Sequence, residues 1–543
     1  MKYLSAFLLI FSSIIYGHSQ KNKPKVIVGI VVDQMCYEYL YRFQENYSKK
    51  GFKEIMKNGT NCRNVEYNYI PTYTGPGHAS IYTGTTPNNH GIIANSWFDR
   101  NVNGLVNCVG DNSVHSIGAN SIYGNCSPHR LKSYTVTDQL KMTYPESKVV
   151  SISIKDRGAI LPGGHKSDGA YWFDYQTGKF ITSSYFKETL PSWLIEFNNN
   201  KNCFTYAKTW SPLLDLDQYI SDDESNYEVV LPGKTNAHFP YEIKNLMTTG
   251  NNLQLFTISP FANTLLTDLA IDAMQNEHFG ESRNTDMICI SYSSTDIAGH
   301  AFGPYSMEIE DMYIRLDLEI ARLLKFLNKT FGKNGYVLFM TADHGVVPVP
   351  QQLVDEKLPG GYLYVDSLLV ELKKESIQFF KTDLIDNIVN LNLYLNQERI
   401  DSIKGLTSNE VSTFFKNFLL HKKSVKNVIL GKDLTNHSIT DDKWVKLIRK
   451  GFDKKRSGDL IIMLEPGYLP EKVDLSPNQG TSHGSGYSYD THVPLLWYGA
   501  GIKKQDLFYP INITDIAPTL THILNLQRTG AMTGQPIIDV LKK

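Results

Sequence analysis

Short apolar runs that each lead to a charged residue recur along the chain. They cover Val26–Val32, Val149–Ile154, Met287–Tyr292 and Tyr336–Met340. Near-continuous hydrophobicity over so few residues is typical of strands that are buried on both faces of a sheet. The runs therefore predict four strands in the interior of one sheet.

Patterns of helical period lie between these runs. They extend over Gln34–Phe43, Ser306–Asn328 and Asp515–Asn525, and the last has Thr514 placed to cap it and Pro518 in its first turn. Strands that alternate with helices form mostly parallel sheets. The sequence therefore predicts an α/β fold with a mostly parallel central sheet and helices on both faces.

Two segments interrupt this alternation. Residues 166–286 are rich in Tyr, Asn and Thr, and residues 350–480 carry charged amphipathic patterns. No internal repeat and no long linker is visible in the sequence. We expect a single catalytic domain over residues 20–543, decorated by insertions near 166–286 and 350–480.

The N-terminal residues resemble a targeting segment. Met1–Lys2 is followed by an apolar run from Tyr3 to Tyr16 and by Gly17-His18-Ser19. A short basic start, a brief apolar stretch and a small-residue end are typical of a secretory signal peptide, whereas a membrane span needs about 20 apolar residues. We predict a cleaved signal peptide at residues 1–19, a periplasmic or secreted protein, and no membrane span after signal removal.

Composition limits the other classes of function. The 543 residues are 41% hydrophobic, enough for a large core, and the net charge is -1 without a Lys/Arg-rich block, so no nucleic-acid partner is indicated. Six cysteines occur without a CxxC pair, which argues against a cysteine-based structural zinc site. Export permits disulfides, but the sequence does not choose among the pairings. We expect a monomer.

Charged residues stand at or just past the ends of the predicted strands: Asp33, Lys155, Asp296 and Asp343. Ligands of open α/β sheets bind at the edge where the carboxyl ends of the strands lie. Four charged groups at one edge repel each other or need partners. Because most of them are Asp, with His nearby, this edge suits a divalent metal ion.

The metal ligands are suggested by three further motifs. Asp296 and His300 are four residues apart, so one helical turn can present both to one ion. His344 directly follows Asp343, and His483 lies in a loop of small residues. Together with Asp33 these residues make six oxygen and nitrogen ligands, the set expected of two zinc ions that each keep an open position.

A hydroxyl residue stands in a Gly/Pro-rich turn, Pro71-Thr-Tyr-Thr74-Gly-Pro-Gly77-His78, before a helix-like run. The N-terminus of a helix attracts anions through its free N–H groups. Taken alone, Thr74 is an ordinary helix cap. Beside a metal site it becomes a candidate nucleophile, because coordination favours the alkoxide of a hydroxyl group.

The order of these motifs resembles the alkaline phosphatase superfamily, and more narrowly the phosphate-insensitive bacterial alkaline phosphatases that use Thr as nucleophile. Type I phosphodiesterases and nucleotide pyrophosphatases are relatives of that group. The resemblance runs from about Lys25 to Gly534-Gln-Pro-Ile537 and includes Val31-Val-Asp-Gln34, Gly91-Ile-Ile-Ala-Asn95 and Lys155-Asp-Arg-Gly-Ala-Ile-Leu-Pro162.

The resemblance implies a role for each motif residue. One zinc ion would be held by Asp296, His300 and His483, and the other by Asp33, Asp343 and His344, with Thr74 on it. Asn95, Lys155 and Arg157 would contact the phosphoryl oxygens. The implied reaction is hydrolysis of phosphate monoesters through a phospho-threonine intermediate. Two cations in the pocket favour monoesters, which carry more charge than diesters.

Several alternatives stay open in the sequence. A nucleotide pyrophosphatase/phosphodiesterase would share the two-metal layout. Cys126-Ser-Pro128-His-Arg130 matches the sulfatase motif C-x-P-x-R, although Thr74 already fills the place of the sulfatase nucleophile in that comparison. A non-enzymatic metal- or anion-binding protein would need no nucleophile. His78 and His90 are interpreted as packing residues, and His492 competes with His483 as a ligand.

Overall fold

A computed structural model describes residues 23–249, 251–435, 442–474 and 479–542. The signal peptide predicted at residues 1–19 lies outside these ranges. The core is a ten-stranded mixed sheet. Its strands, in spatial order, are Gln505–Leu507, Thr60–Cys62, Leu495–Gly499, Tyr336–Thr341, Val26–Val32, Asp286–Tyr292, Val149–Ser153, Gly169–Phe173, Phe180–Ser183 and Ser116–Ile117.

The centre of this sheet is parallel. Val26–Val32 pairs in parallel with Asp286–Tyr292 on one side and with Tyr336–Thr341 on the other. Val149–Ser153 and Gly169–Phe173 continue the parallel order. All residues of these five strands are buried, so both faces are covered. The predicted mostly parallel sheet is confirmed, and its antiparallel pairs lie toward the edges.

Helices of eight or more residues cover Thr74–Thr83, Val136–Thr143, Asp156–Gly163, Ser192–Asn200, Pro260–Asn276, Ser294–Phe302, Met307–Phe331, Val365–Phe380, Ser408–Leu420, Lys443–Gly451 and Ile516–Leu524. Shorter α-helices cover Tyr39–Arg42, Phe52–Asn58, Pro87–His90, Cys203–Tyr206, Ile243–Thr249, Gln254–Thr257, Pro350–Asp355, Gln397–Ser402, Gly431–Thr435 and Ser488–Thr491. None of the helices in the described residues is both long enough and apolar enough to cross a membrane.

Two sequence-based details of the helices are wrong. The helix predicted over Gln34–Phe43 is limited to Tyr39–Arg42, because Gln34 adopts a left-handed conformation with φ of 65°. Thr514 does not cap the last helix. It lies within a 3-10 turn, Ile513–Asp515, that is closed by reciprocal bonds between Asn512 and Asp515, and the helix begins only at Ile516.

The two expected insertions differ in structure. Residues 350–480 contain a separate antiparallel sheet with its own apolar core, ordered Ile385–Val389, Asn392–Leu395, Leu460–Leu464 and Val425–Leu430. Residues 166–286, in contrast, supply Gly169–Phe173 and Phe180–Ser183 to the main sheet, so that segment begins inside the core. The division into one domain with insertions stays a prediction.

Small two-stranded pairs complete the sheet structure. They join Val65–Glu66 with Ile511–Asn512, Ser96–Asp99 with Gly104–Asn107, Thr209–Trp210 with Tyr241–Glu242, and Gly361–Tyr364 with Tyr468–Glu471. All six cysteines are buried free thiols.

Candidate active site

The predicted ligands meet at the carboxyl edge of the parallel strands. Asp33 directly follows Val26–Val32, and Asp343 comes two residues after Tyr336–Thr341. Asp296 lies in the first turn of the helix Ser294–Phe302, which follows the neighbouring strand. Because the strands are adjacent and parallel, three carboxylates distant in sequence converge on one place.

The first group contains Asp296, His300 and His483, whose ligand atoms lie within 4.8 Å of one another. Asp296 Oδ1 is 3.2 Å from His300 Nε2 and 3.5 Å from His483 Nε2. The helix explains the first distance, since residues four apart share one face. His483 comes from a loop much later in the chain.

The second group contains Asp33, Asp343 and His344, again within 4.8 Å. His344 Nε2 lies 3.4 Å from Asp33 Oδ1 and 3.5 Å from Asp343 Oδ2. It also lies 4.0 Å from Asp296 Oδ1, so the two groups are neighbours. The His344 and His483 rings stack with centroids 3.4 Å apart.

The three imidazoles are oriented in the same way. Nδ1 of His300, His344 and His483 lies 2.8, 2.9 and 2.7 Å from the backbone carbonyls of Thr481, Gly345 and Thr72, respectively. A carbonyl only accepts hydrogen bonds, so each Nδ1 carries the proton and each Nε2 is free to offer its lone pair. All three Nε2 atoms face the carboxylates.

These groups fit divalent cations. Asp33 Oδ1 and Asp343 Oδ2 are buried without a hydrogen-bond partner among the described residues. Burial, followed by the neighbouring carboxylates, raises the pKa of Asp33 and of Asp343, and burial lowers the pKa of His344 to about 3. Lone pairs that face bare carboxylate oxygens repel each other. A cation between them removes that repulsion and satisfies both atoms.

Thr74 stands beside the second group. It is the first residue of the helix Thr74–Thr83 and only 1% exposed, and its Oγ1 lies 3.4 Å from His344 Nε2. His78, one turn later, lies 2.9 Å from the Thr74 carbonyl and 2.8 Å from Ser291 Oγ. The hydroxyl therefore faces the ligand atoms from a helix whose start is anchored to the sheet.

Lys155 lies between the two groups. Its Nζ is 2.7 Å from Asp33 Oδ2 and also contacts Asp296 Oδ2. Although burial opposes the shift, His300 and Lys155 hold the pKa of Asp296 well below its ordinary value. The ammonium group thus bridges the carboxylates of both groups.

Asn95 and Arg157 complete the surroundings of the hydroxyl. Asn95 Oδ1 accepts a 2.7 Å hydrogen bond from Gly75 N, next to the hydroxyl residue, so its amide group is fixed at the helix start. Arg157 Nη1 is 3.5 Å from Asp156 Oδ1, and its Nε is buried without a partner among the described residues. Both side chains retain donors for an anion.

Two buried residues that position the ligands were not identified from the sequence. Gln34 donates from Nε2 to Asp296 Oδ1 at 2.9 Å and from its backbone N to Asp343 Oδ1 at 3.1 Å, and thus connects both groups. Asp490 accepts from Gly484 N and Ser485 N at 3.1 and 2.7 Å, which holds the loop of His483. In the sequence, Gln34 and Asp490 are marked only by their positions near the ligands Asp33 and His483.

The remaining candidates lie outside the two groups. His90 bonds Ser80, and His492 stacks on Tyr37 and bonds the Arg63 carbonyl. Cys126 is buried, 3.7 Å from the Tyr123 carbonyl and 3.8 Å from Asp156 Oδ2. None of them belongs to the clusters of His, Cys, Asp and Glu found within the described ranges.

The chain is similar in sequence to a known protein family and to named alkaline phosphatases. The model of the type I phosphodiesterase/nucleotide pyrophosphatase family matches residues 27–487. Alkaline phosphatase PhoV of Synechococcus elongatus is 38% identical over 526 residues, covering 96% of this chain and 93% of that protein. Alkaline phosphatase PafA of Elizabethkingia meningoseptica is 38% identical over 528 residues, covering 96% and 95%.

A solved structure shows the same architecture. The crystal structure of an alkaline phosphatase PafA superimposes with a TM-score of 0.91 at 36% identity. The match covers 96% of this chain and 100% of that chain. The similarity therefore extends through the second sheet as well as the main one.

Proposed function

The chain belongs to the type I phosphodiesterase/nucleotide pyrophosphatase family of the alkaline phosphatase superfamily, and from this premise we propose that it is a secreted two-zinc alkaline phosphatase with Thr74 as nucleophile. Its relatives named alkaline phosphatases, 38% identical over nearly the whole chain, make it a phosphate monoester hydrolase. The nucleophile, the two zinc ions and export are our proposals.

One observation carries the proposal for the nucleophile. Thr74 Oγ1 is a buried hydroxyl within 3.4 Å of a ligand atom, at the point where two groups of Asp and His adjoin. When bound there, two zinc ions would supply Lewis acidity, which activates a hydroxyl and stabilises a leaving oxygen. A buried threonine without a neighbouring metal site would lack this activation of its hydroxyl group.

The proposed reaction has two steps. Thr74 Oγ1 attacks phosphorus, its bond to phosphorus forms, and the bond from phosphorus to the ester oxygen breaks as the alcohol leaves. Water then cleaves the phospho-threonine and releases phosphate, which regenerates the hydroxyl. Asp33, Asp343 and His344 would hold the ion beside Thr74, and Asp296, His300 and His483 the other ion.

Substrate charge is matched by donors around the hydroxyl. The Asn95 amide is bonded at the start of the helix Thr74–Thr83, and Lys155 and Arg157 stand at the start of the helix Asp156–Gly163. They would contact the non-bridging oxygens, and a monoester offers three of these with about two negative charges. This donor set supports a monoester rather than a diester as substrate.

The proposal is tested by turnover of purified protein on p-nitrophenyl phosphate and on bis-p-nitrophenyl phosphate. We expect the monoester to be hydrolysed with the higher kcat/KM and Thr74→Ala to abolish turnover, while Thr74→Ser retains part of it because a hydroxyl remains. A higher kcat/KM on the diester would identify a phosphodiesterase. Unchanged turnover by Thr74→Ala would refute the covalent mechanism.

The proposal of export rests on the signal-peptide pattern of residues 1–19. We expect the protein in the periplasm or the medium, starting near residue 20. N-terminal sequencing of the protein recovered from the two fractions measures this directly.

A further inference from the structure

An apolar cavity lies where the second sheet packs against the loops that carry the catalytic residues. The strand Leu460–Leu464 of that sheet lines the cavity on one side, and Ile70, Tyr73 and His483 line it on the other. The cavity measures about 50 Å³. Ligand sites are commonly found at junctions between structural units, in concave spaces with mostly apolar walls. This cavity is therefore a candidate site for part of a ligand.

The walls belong to an apolar cluster that joins both parts of the molecule. Ile448 and Met463 lie in its buried centre, and Ile70, Ile461 and Tyr487 pack against them while they stay partly exposed. Partly exposed apolar side chains gain free energy when a hydrocarbon group covers them. The walls therefore suit a hydrocarbon group.

The polar groups of the walls do not suit a phosphoryl group. The Tyr487 hydroxyl donates to the Leu464 carbonyl at 3.0 Å, and Asp490 Oδ2 accepts from Ser485 N at 2.7 Å. Asp490 and Glu465 are both acidic, and carboxylates repel phosphate. We therefore expect the charged end of a phosphate ester to lie outside the cavity.

The cavity reaches the catalytic residues. His483 lines it, and the Nε2 atom of this ring lies 3.5 Å from Asp296 Oδ1 in the first group of ligands. Tyr73, which directly precedes Thr74, places its ring centroid 5.6 Å from that of His483. The Thr72 carbonyl accepts from His483 Nδ1 at 2.7 Å, so the two loops are bonded to each other. The apolar wall and the first group thus share one residue.

A second cavity adjoins the first. It measures about 40 Å³ and is also lined by Ile70 and Tyr73. It extends to Ile93, two residues before Asn95. The apolar space is therefore elongated and follows the turn that precedes Thr74.

The geometry of the proposed reaction places the leaving alcohol on the side of the first cavity. In an in-line displacement at two metal ions, one ion stabilises the attacking oxygen and the other the leaving oxygen. Thr74 Oγ1 adjoins the second group of ligands, at 3.4 Å from His344 Nε2. The leaving oxygen therefore belongs to the first group, in which His483 also lines the cavity.

We propose that the cavity receives the hydrocarbon part of the leaving alcohol, so that the enzyme prefers phosphate monoesters of unbranched alkyl alcohols. This inference rests on the proposed function, because it names the substrate class of the same site. The small volume and elongated outline favour a straight chain over a large ring system. A sugar would bury hydroxyl groups that lose their hydrogen bonds to water.

Alkyl phosphates of different length test this preference. Ethyl and n-hexyl phosphate release alcohols of nearly the same basicity, so a difference in kcat/KM reports contacts of the longer chain. Burial of one methylene group corresponds to about a fourfold change in an equilibrium constant. We therefore expect kcat/KM on hexyl phosphate to exceed that on ethyl phosphate by about tenfold or more.

The outcomes of this comparison are distinct. Equal kcat/KM on the two esters would overturn the inference and leave the proposed function intact. A higher kcat/KM on 6-aminohexyl phosphate than on hexyl phosphate would show that the carboxylates select the occupant, and it would also overturn the inference. Absence of hydrolysis of both alkyl esters and of p-nitrophenyl phosphate would refute the proposed function, and this inference with it.

Two variants locate the preference in the structure. Ile461→Asn places a polar group in the wall and should lower the ratio of kcat/KM on hexyl phosphate to kcat/KM on ethyl phosphate at least threefold. Ile377→Asn is the matched control, because Ile377 is 53% exposed on the helix Val365–Phe380 of the same insertion. The control should keep the ratio of the wild-type protein. An unchanged ratio in Ile461→Asn would contradict the assignment.

Binding to the zinc-loaded wild-type protein needs neither turnover nor a variant. In an alkylphosphonate a carbon atom replaces the ester oxygen, so the compound is not hydrolysed. Calorimetric titration should give tighter binding and a more negative heat-capacity change for hexylphosphonate than for ethylphosphonate, because more apolar surface is buried. Equal affinities and equal heat-capacity changes would overturn the proposal.

Discussion

Gln34 offers the sharpest test of how the two catalytic groups are held together. Its Nε2 donates to Asp296 Oδ1 at 2.9 Å, and it is 2% exposed. Gln34→Met removes this donor at similar volume and keeps the backbone N–H that bonds Asp343 Oδ1 at 3.1 Å. The substitution therefore perturbs the group of Asp296 selectively.

The size of the effect follows from the hydrogen bond that is lost. A buried hydrogen bond to a charged group contributes about 1.5–3 kcal/mol. Loss of an outer-shell partner of a metal ligand typically lowers metal affinity by about 10- to 100-fold. Since about 1.4 kcal/mol corresponds to a factor of ten, the two ranges agree. We expect one of the two zinc ions to bind about tenfold or more weakly.

Competition with a chromogenic chelator measures this affinity, and kcat/KM on p-nitrophenyl phosphate is recorded at saturating and at limiting zinc. Excess zinc should restore most of the activity, because Gln34 contacts the ligands Asp296 and Asp343 and is not one of the proposed substrate contacts. Gln352→Met, at a partly exposed glutamine whose Nε2 donates to Glu356 Oε1 at 3.0 Å, is the matched control. Unchanged zinc release by Gln34→Met would refute the reasoning.

Three further predictions test other parts of the site. Arg157→Ala should lower kcat/KM on the monoester by about 100-fold, because a charge-assisted contact is lost, and should have a smaller effect on the bis-ester. The ratio of kcat/KM on the monoester to kcat/KM on the bis-ester measures this difference. Burial raises the pKa of Asp490 from its ordinary value of 3.8 to about 7. The stabilising contribution of the protonated carboxyl group is therefore fully present below pH 3.8 and is lost as the pH rises through about 7. Asp490→Asn should remove the part of the fall in Tm between pH 4 and 7 that this group causes. Chelation of the metal ions should abolish activity and lower Tm, because Asp33 Oδ1 and Asp343 Oδ2 would then be buried without a partner. Addition of zinc should restore the activity, measured by the p-nitrophenyl phosphate assay, and the Tm, measured by calorimetry.

The centre of the fold was readable from the sequence for a simple physical reason. Val26–Val32 and Tyr336–Thr341 are buried on both faces, and this leaves an uninterrupted apolar run in the sequence. The polar residue that ends each run then marks the carboxyl edge of the sheet. The candidate ligands could be placed at one edge because parallel strands bring those ends together, whereas their division into two groups followed from the family resemblance.

Two local features of the helices were missed. The period of Gln34–Phe43 suggests a helix, but Gln34 takes a left-handed conformation in which its two donors reach Asp296 and Asp343. Thr514 looks like a cap, yet Asp515 bonds Asn512 N and Gln535 N and defines the turn instead. The partners of Gln34 lie far away in the sequence, whereas the pair Asn512 and Asp515 forms a local capping box that competes with Thr514.

Acid quenching during turnover tests the central claim most directly. Protein mixed with excess p-nitrophenyl phosphate is denatured in acid, digested and analysed by peptide mass spectrometry. The account predicts one added phosphoryl group on the peptide that contains Thr74, at that residue, and none in Thr74→Ala. A phosphoryl group on any other residue, or an active enzyme that never carries one under conditions that preserve phospho-threonine, would contradict it.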